Sequence, residues 1–191
     1  MPVTLRPAVP EDAELLARVI DMAGEGLPLH LWSGMAAPGQ DPWEVGRARA
    51  RRDSGGFSWR NAVVAELAGQ PAGAIVTYAT DPEPEPPAAD TPAMFVPLIE
   101  LEALAPATRY INALAVLPQA RRQGVAQALM GAVAPGPRGT SLIVTDTNAA
   151  ARALYGRLGF AEAARRPVVA GGWQTPARDW VLMLRGVQGG V

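Results

Sequence analysis

The chain of 191 residues contains no cysteine, no lysine and a single histidine, His30. Without cysteine there is no disulfide, no thiolate to carry an acyl-enzyme and no Cys-ligated zinc. One histidine cannot build a multi-histidine metal site, so no metal is expected. Without lysine there is no Walker A phosphate loop and no Schiff base to pyridoxal phosphate. No apolar run approaches the length needed to span a bilayer, and the opening MPVTLRPAVPEDAELL carries acids where a signal peptide needs an apolar core, so a cytoplasmic protein without a membrane partner is expected. The formal net charge is −1. No broad basic face exists to hold a polyanion, and nucleic acid is not expected as a partner. Heavy use of Ala, Arg, Gly and Pro in place of lysine points to a GC-rich, bacterial coding sequence.

What is present is organised around Tyr110–Met130, YINALAVLPQARRQGVAQALM. A short run of β-compatible residues ends at Pro118, and Val125, Ala128, Leu129, Ala132 and Val133 then recur at helical spacing. The loop between them ends at a helix N-terminus, where unpaired N–H groups and the positive end of the helix dipole converge. Gly124 lets an anion approach the main chain, and Arg121 and Arg122 add charge. Taken alone, this is equally a helix start with two solvated arginines.

Length and even composition predict one domain over 1–186, with a frayed tail at 187–191. Val3–Ala8 reads as a strand and Pro10 opens a helix ended by Gly24 or Gly26. Pro42–Arg52 reads as a helix. Its arginines Arg47, Arg49, Arg51 and Arg52 either form a solvated face or grip an acidic ligand. Asn61–Leu67 and Ala72–Thr80 form a hairpin, and the proline- and acid-rich 81–92 is an exposed loop. Met94–Leu104 is a short helix or an added strand. Thr140–Thr145 is a buried strand followed by a helix that Asp146, Thr147 or Asn148 can cap. On that helix Ala150, Leu154 and Leu158 make the packing stripe, while Asn148 and Tyr155 share another face. Phe160–Val169 and Pro176–Leu184 close the chain as strands around Gly171-Gly172.

Arg121, Gly124 and Ala126 fit the Gln/Arg-x-x-Gly-x-Gly/Ala signature of the GCN5-related N-acetyltransferases. Farther on, Asn148-Ala-Ala-Ala-Arg-Ala-Leu-Tyr155-Gly-Arg-Leu-Gly159-Phe160 resembles that family's Asn-x-x-Ala-x-x-Leu-Tyr-x-x-x-Gly-Phe segment. The two motifs stand in the family's order, and Arg6-Pro-Ala8-Val-Pro-Glu-Asp12 is similar to its opening Arg-x-Ala-x-x-x-Asp. The resemblance implies a mixed α+β fold. Its central, mostly antiparallel sheet has about six to seven strands, a parallel and splayed fourth and fifth pair, and helices on both faces.

It also implies acetyl-CoA as acyl donor and a primary amine of a small molecule or peptide as acceptor, joined by direct attack. Backbone N–H groups of Arg122, Gln123, Gly124, Val125 and Ala126, with the Arg121 and Arg122 side chains, would hold the pyrophosphate. Main-chain groups of Leu114, Ala115 and Val116 would pair with the pantetheine amides. Asn148 would contact the pantetheine arm or orient the adjacent loop, and Tyr155 would protonate the departing thiolate. Tyr110 stands where several family members carry a glutamate. The base is therefore Glu102, a water held by Asn112, or no single residue. Asn112 and Trp32 are candidate acceptor contacts. Two chains can pair through the final strands or through 27–60. The alternatives are another acyl-CoA as donor, or a module that binds acyl-CoA without turnover. A hydrolase built on Ser58 lacks a nucleophile elbow and has only His30 as base.

Overall fold

The computed structural model describes residues 2–186, so the expectation of a frayed 187–191 tail lies outside the described residues. Seven strands form one sheet in the order β1-β2-β3-β4-β5-β7-β6. They are β1 (Val3–Pro7), β2 (Ala62–Leu67), β3 (Gln70–Ala79), β4 (Arg109–Val116), β5 (Thr140–Thr145), β6 (Ala161–Pro167) and β7 (Asp179–Arg185). The helices are α1 (Ala13–Ala23), α2 (Leu27–Met35), α3 (Pro42–Ala50), α4 (Val96–Ala103), α5 (Val125–Gly131) and α6 (Ala149–Arg157). This is the expected mixed α+β architecture. No described helix is long and apolar enough to cross a membrane.

The chain forms two compact units. One comprises the described residues up to Tyr78 together with Asn112–Val133, and the other Ala79–Ile111 with the described residues from Ala134 on. In the first, β1 and β3 both run antiparallel to β2. The β2–β3 turn is only Ala68 and Gly69, both at positive φ (50° and 73°), the conformation whose twist suits a two-residue hairpin. Leu16, Val19 and Ile20 of α1 bury against Val64, Ala74 and Val76 of the strands, with Ala113 in the same cluster. Trp32 and Trp43 meet edge to face at 5.8 Å, and Phe57 stacks on Trp32 at 6.2 Å. Gly46 is needed beneath this cluster, because a Cβ there would lie 2.5 Å from the Trp32 ring. α5 packs on β1 and β2.

The Arg6/Asp12 pair of the opening motif holds this unit's first crossover. Arg6 donates to both Asp12 carboxylate oxygens (2.7 and 2.8 Å) and to Glu66 (2.7 Å), while Asp12 accepts from Val9 N–H (2.8 Å). The Arg6 hydrogen bonds hold the Asp12 carboxyl below its ordinary value, against the opposing effect of burial.

In the second unit, β5 pairs antiparallel with β7 over its whole length and parallel with β4, where the ladder spans Arg109↔Thr140, Tyr110↔Ser141 and Ile111↔Leu142. A buried hydroxyl network ties this corner. Thr80 and Thr108 both donate to the Ala105 carbonyl (2.8 and 2.9 Å), and the Thr108 and Ser141 hydroxyls meet at 2.6 Å. α4 packs against β5, β6 and β7, and Arg166 reaches back from β6 to Glu100 on α4 at 2.6 Å.

Three local expectations change. Leu27–Met35 is a helix the periodicity did not announce, opened by Gly26 at φ 85°. α5 stops at Gly131, short of Ala132 and Val133. On α6 the expected packing stripe is wrong: Ala150 is exposed and Leu154 and Leu158 are only half-buried, whereas Tyr155 is the buried residue. Met94–Leu104, read as helix or strand, contains α4.

Candidate active site

In the first unit, β4 runs into a single 3-10 turn at Pro118–Ala120 and then into the loop that starts α5. Along β4, Ala113 is buried and Ala115 packs against the α1 cluster, so alternation puts Asn112, Leu114 and Val116 on the other face. Gly73 on β3 lies close beneath: a Cβ there would approach the Ala115 carbonyl oxygen to 2.5 Å. The chain leaves the strand with Leu117 N–H donating to the Ala72 carbonyl at 2.8 Å.

The loop itself has the backbone an anion needs. Arg122 (φ 61°) and Gly124 (φ 81°) are both left-handed, Gly124 is the N-cap of α5, and no side chain caps that end. Nothing lies within 4 Å of the place a Cβ of Gly124 would occupy, so approach to the main chain is open. Val125 is buried and anchors the helix beneath, while Arg121, Arg122 and Gln123 are exposed and Ala126 is half-buried. Arg121 Nε donates to the Val116 carbonyl (3.3 Å), and Gln123 Nε2 donates to the Gln119 carbonyl (3.2 Å). The Val116 carbonyl, one of the groups expected to pair with the pantetheine amides, therefore already has a partner in Arg121. The Arg121 side chain braces the loop onto the strand it leaves.

In the second unit, Asn148 is the N-cap of α6, its Oδ1 accepting from Ala151 N–H at 3.1 Å. That oxygen serves the helix end, so of the three expected caps, Asp146, Thr147 and Asn148, it is Asn148 that caps α6. Two turns on, Tyr155 is 8 % exposed, with its ring 5.7 Å from Phe160. Gly159, at φ 85°, ends the helix and turns Phe160 back so that its N–H donates to the Tyr155 carbonyl at 3.0 Å. Burial pushes the Tyr155 phenol up to about 12. Tyr110 is buried as deeply, and its phenol is held far above the ordinary range by burial first, then by the charges of Glu102 and Tyr155. The two tyrosines and Glu102 are thus electrostatic neighbours.

Glu102, half-buried on α4, lines a cavity of about 220 Å³ with Thr80, Asp81, Pro84, Glu85, Ile99 and Ala103. Asp81 and Glu85 were not anticipated as site residues. The signal was present in the acid-rich stretch 81–92, which reads as an inert loop until α4 is placed beside it. Trp32 is corrected in the other direction. At 3 % exposure, between Trp43 and Phe57, it is a core residue with almost no surface for an acceptor. Ser58 is 1 % exposed and donates to the Arg52 carbonyl at 2.5 Å, which removes the hydrolase reading. Arg47 belongs to an ion-pair network with Glu14, Asp41 and Glu44. Among the described residues no group of His, Asp or Glu could hold a metal ion.

The chain matches the family model described as acetyltransferase (GNAT) family over residues 30–160. No curated protein sequence matches it. Among solved structures it is similar to an N-acetyltransferase from Staphylococcus aureus Mu50, with 17 % identity, 95 % of this chain and 100 % of that one covered, and a TM-score of 0.62. It is also similar to the ribosomal-protein-S18-alanine N-acetyltransferase from Escherichia coli, with 18 % identity, 100 % and 97 % covered, TM-score 0.57. A third is Arabidopsis thaliana NAA60 in complex with a bisubstrate analogue, with 18 % identity, 99 % and 100 % covered, TM-score 0.56. At such identities the likeness is one of fold.

Proposed function

Because the chain belongs to the GNAT acetyltransferase family, we propose that it moves the acetyl group of acetyl-CoA directly to a primary amine of a small molecule or peptide. The observation that carries this reading is Tyr155, a buried phenol kept neutral by its surroundings at the helix the second motif builds. The similar structures named as N-acetyltransferases support nitrogen as the acceptor atom.

Each part of the donor has a counterpart in the chain. The pyrophosphate would sit on the N–H groups from Arg122 through Ala126, where two left-handed residues lead into a helix start that no side chain caps. α5 is only seven residues long, so the loop N–H groups and the Arg121 and Arg122 charges contribute more than a helix dipole would. Main-chain groups of Leu114 and Ala115 would pair with the pantetheine amides as an added strand does.

In the reaction the amine nitrogen attacks the thioester carbonyl, the C–S bond breaks, and Tyr155 gives its proton to the leaving sulfur. A phenol near 12 is a weak donor to a thiol whose ordinary value is about 8.5. The dry surroundings that disfavour the phenolate disfavour a thiolate beside it equally, so the gap narrows as charge reaches sulfur. Glu102 would take the proton from the ammonium, directly or through water, and Asp81 and Glu85 in the same cavity would favour a cationic acceptor. With no cysteine in the chain, no acyl-enzyme on sulfur intervenes.

The test is calorimetric binding of acetyl-CoA followed by thiol release against a panel of amines, with Tyr155→Phe alongside. The expected result is unchanged acetyl-CoA affinity and a loss of turnover of about 10²-fold or more in the variant. Unchanged turnover would remove Tyr155 from the mechanism. Binding of acetyl-CoA without amine-dependent release would favour a binding module.

A further inference from the structure

A groove of about 980 Å³ runs along α1 in the first unit; it borders the β4–α5 connection at Leu117, Pro118 and Gln119, and none of the residues proposed to hold the donor lines it. It is at the upper end of the size that small-molecule sites occupy. Its apolar lining comes from Leu15 and Met22 of α1, Trp43 of α3, and Pro71, Leu117 and Pro118. Its charged lining follows an order along the 3-10 turn and α1. In the middle, Glu14 accepts from both Arg18 and Arg47 (2.7 Å each), and Asp41 accepts from Arg47 (3.1 Å). Asp12, also in the lining, is taken up by Arg6.

That leaves Glu11 at one end and Asp21 at the other. Among the described residues neither has a guanidinium partner. Asp21 accepts only from Leu29 N–H, at 2.9 Å, and its half-burial raises its carboxyl above the ordinary value, as expected of a carboxylate lacking a cation. Glu11 stands in the 3-10 turn Pro10–Asp12 that leads into α1 and Asp21 near the end of α1, ten positions on and about 16 Å away by the combined rise of the two segments.

A carboxylate at each end of the α1 side, compensated charges between them and an apolar share of the lining describe the complement of one chemical class. We propose that this groove binds a linear diamine, its ammonium ends on Glu11 and Asp21 and its methylene stem over Leu15, Met22 and Trp43. Arg18 and Arg47 at mid-groove would repel an ammonium placed between the ends, so the ligand carries charge at its termini only. The site stands independently of whether the same molecule also serves as acetyl acceptor.

The experiment is calorimetric titration of the full chain with decamethylenediamine, whose extended length suits the span, with tetramethylenediamine and decylamine as controls. The long diamine is expected to bind saturably and more tightly than either control. Asp21→Asn is expected to weaken it about tenfold, and the exposed Glu11→Gln about threefold. A control substitution, Asp53→Asn, lies outside the groove and should leave binding unchanged. Circular dichroism and the thermal shift given by acetyl-CoA report whether each variant is folded. Absence of saturable binding to the folded wild type, equal affinity for long and short diamines, or unchanged affinity in both groove variants would overturn the assignment.

Discussion

Arg6 and Asp12, which stand in the opening stretch that resembles a family motif, form a structural pair. Asp12 is 9 % exposed and accepts three hydrogen bonds, two from Arg6 and one from Val9 N–H. Its carboxyl is held down chiefly by the Arg6 hydrogen bonds. A carboxylate whose folded value is depressed contributes stability that is present above its unfolded value and is lost as pH falls through the folded one. Asp12→Asn should therefore cost about 1–3 kcal/mol at neutral pH, and the difference from wild type should shrink as pH falls below about 4, the ordinary aspartate value. Urea unfolding across that range checks it; a difference independent of pH would mean the loss is one of packing. Asp21 carries the opposite sign. Its folded value is raised, so Asp21→Asn should relieve a cost that appears as pH rises through the carboxylate range. At this scale the sequence was legible where a residue type fixes local backbone, as with Gly124 at the start of α5, while the Arg6–Asp12 pair lay in a motif whose internal contact only the structure shows. It was not legible for Tyr110, Asp81 and Glu85, whose surroundings come from residues distant in the chain.

Among the elements, α5 and α3 depend on glycines for different reasons. Gly124 has φ 81° with open space where a Cβ would stand, so Gly124→Ala meets strain but no clash. A left-handed alanine costs about 1–2 kcal/mol, a modest fall in melting temperature. The added Cβ would also stand in the phosphate's path, so the loss of acetyl-CoA affinity should be larger than the loss of stability. Calorimetry beside thermal melting separates the two, and equal losses would place the phosphate elsewhere. Gly46→Ala is the converse. Helical backbone accepts alanine, but the Cβ meets the Trp32 ring at 2.5 Å, and displacing α3 from a packed ring should cost about 1–3 kcal/mol with acetyl-CoA affinity unchanged. The errors in reading elements share a cause. LPLHLWSGM in α2 has little amphipathic contrast, and a nine-residue helix with Pro at its start and Gly within owes its existence to Trp32 burying against α3. On α6, an alanine-rich segment offers several equivalent stripes, and the one chosen by Tyr155 is decided by the Phe160 ring that the Gly159 turn brings back.

For the molecule as a whole, composition had excluded cysteine and lysine chemistry before any element was placed, and the motif resemblance implied a sheet of about six to seven strands, of which seven form. What composition could not convey is where charge is left uncompensated. The net charge of −1 conceals an exposed pair of arginines, Arg121 and Arg122, in one loop and carboxylates gathered along α1 and around Glu102. A donor bearing phosphates should therefore bind with a salt-sensitive affinity despite the acidic chain, because the relevant charge is local and exposed to screening. A ligand that binds only the folded chain stabilises it by about 2.7 kcal/mol at a hundredfold excess over its dissociation constant. For a chain of this length that corresponds to a rise of about 5–10 °C in melting temperature. CoA and acetyl-CoA should both produce it if the loop holds the phosphates as proposed, since the acetyl group would lie away from it, and raising the salt concentration should diminish it. Arg121→Ala should reduce the shift by more than the loss of one charge, because its Nε also braces the loop on the Val116 carbonyl. Arg122→Ala should show the salt-dependent part alone. If both variants kept the full shift at low salt, the phosphates would not rest on this loop, and the donor site would have to be sought away from the β4–α5 connection.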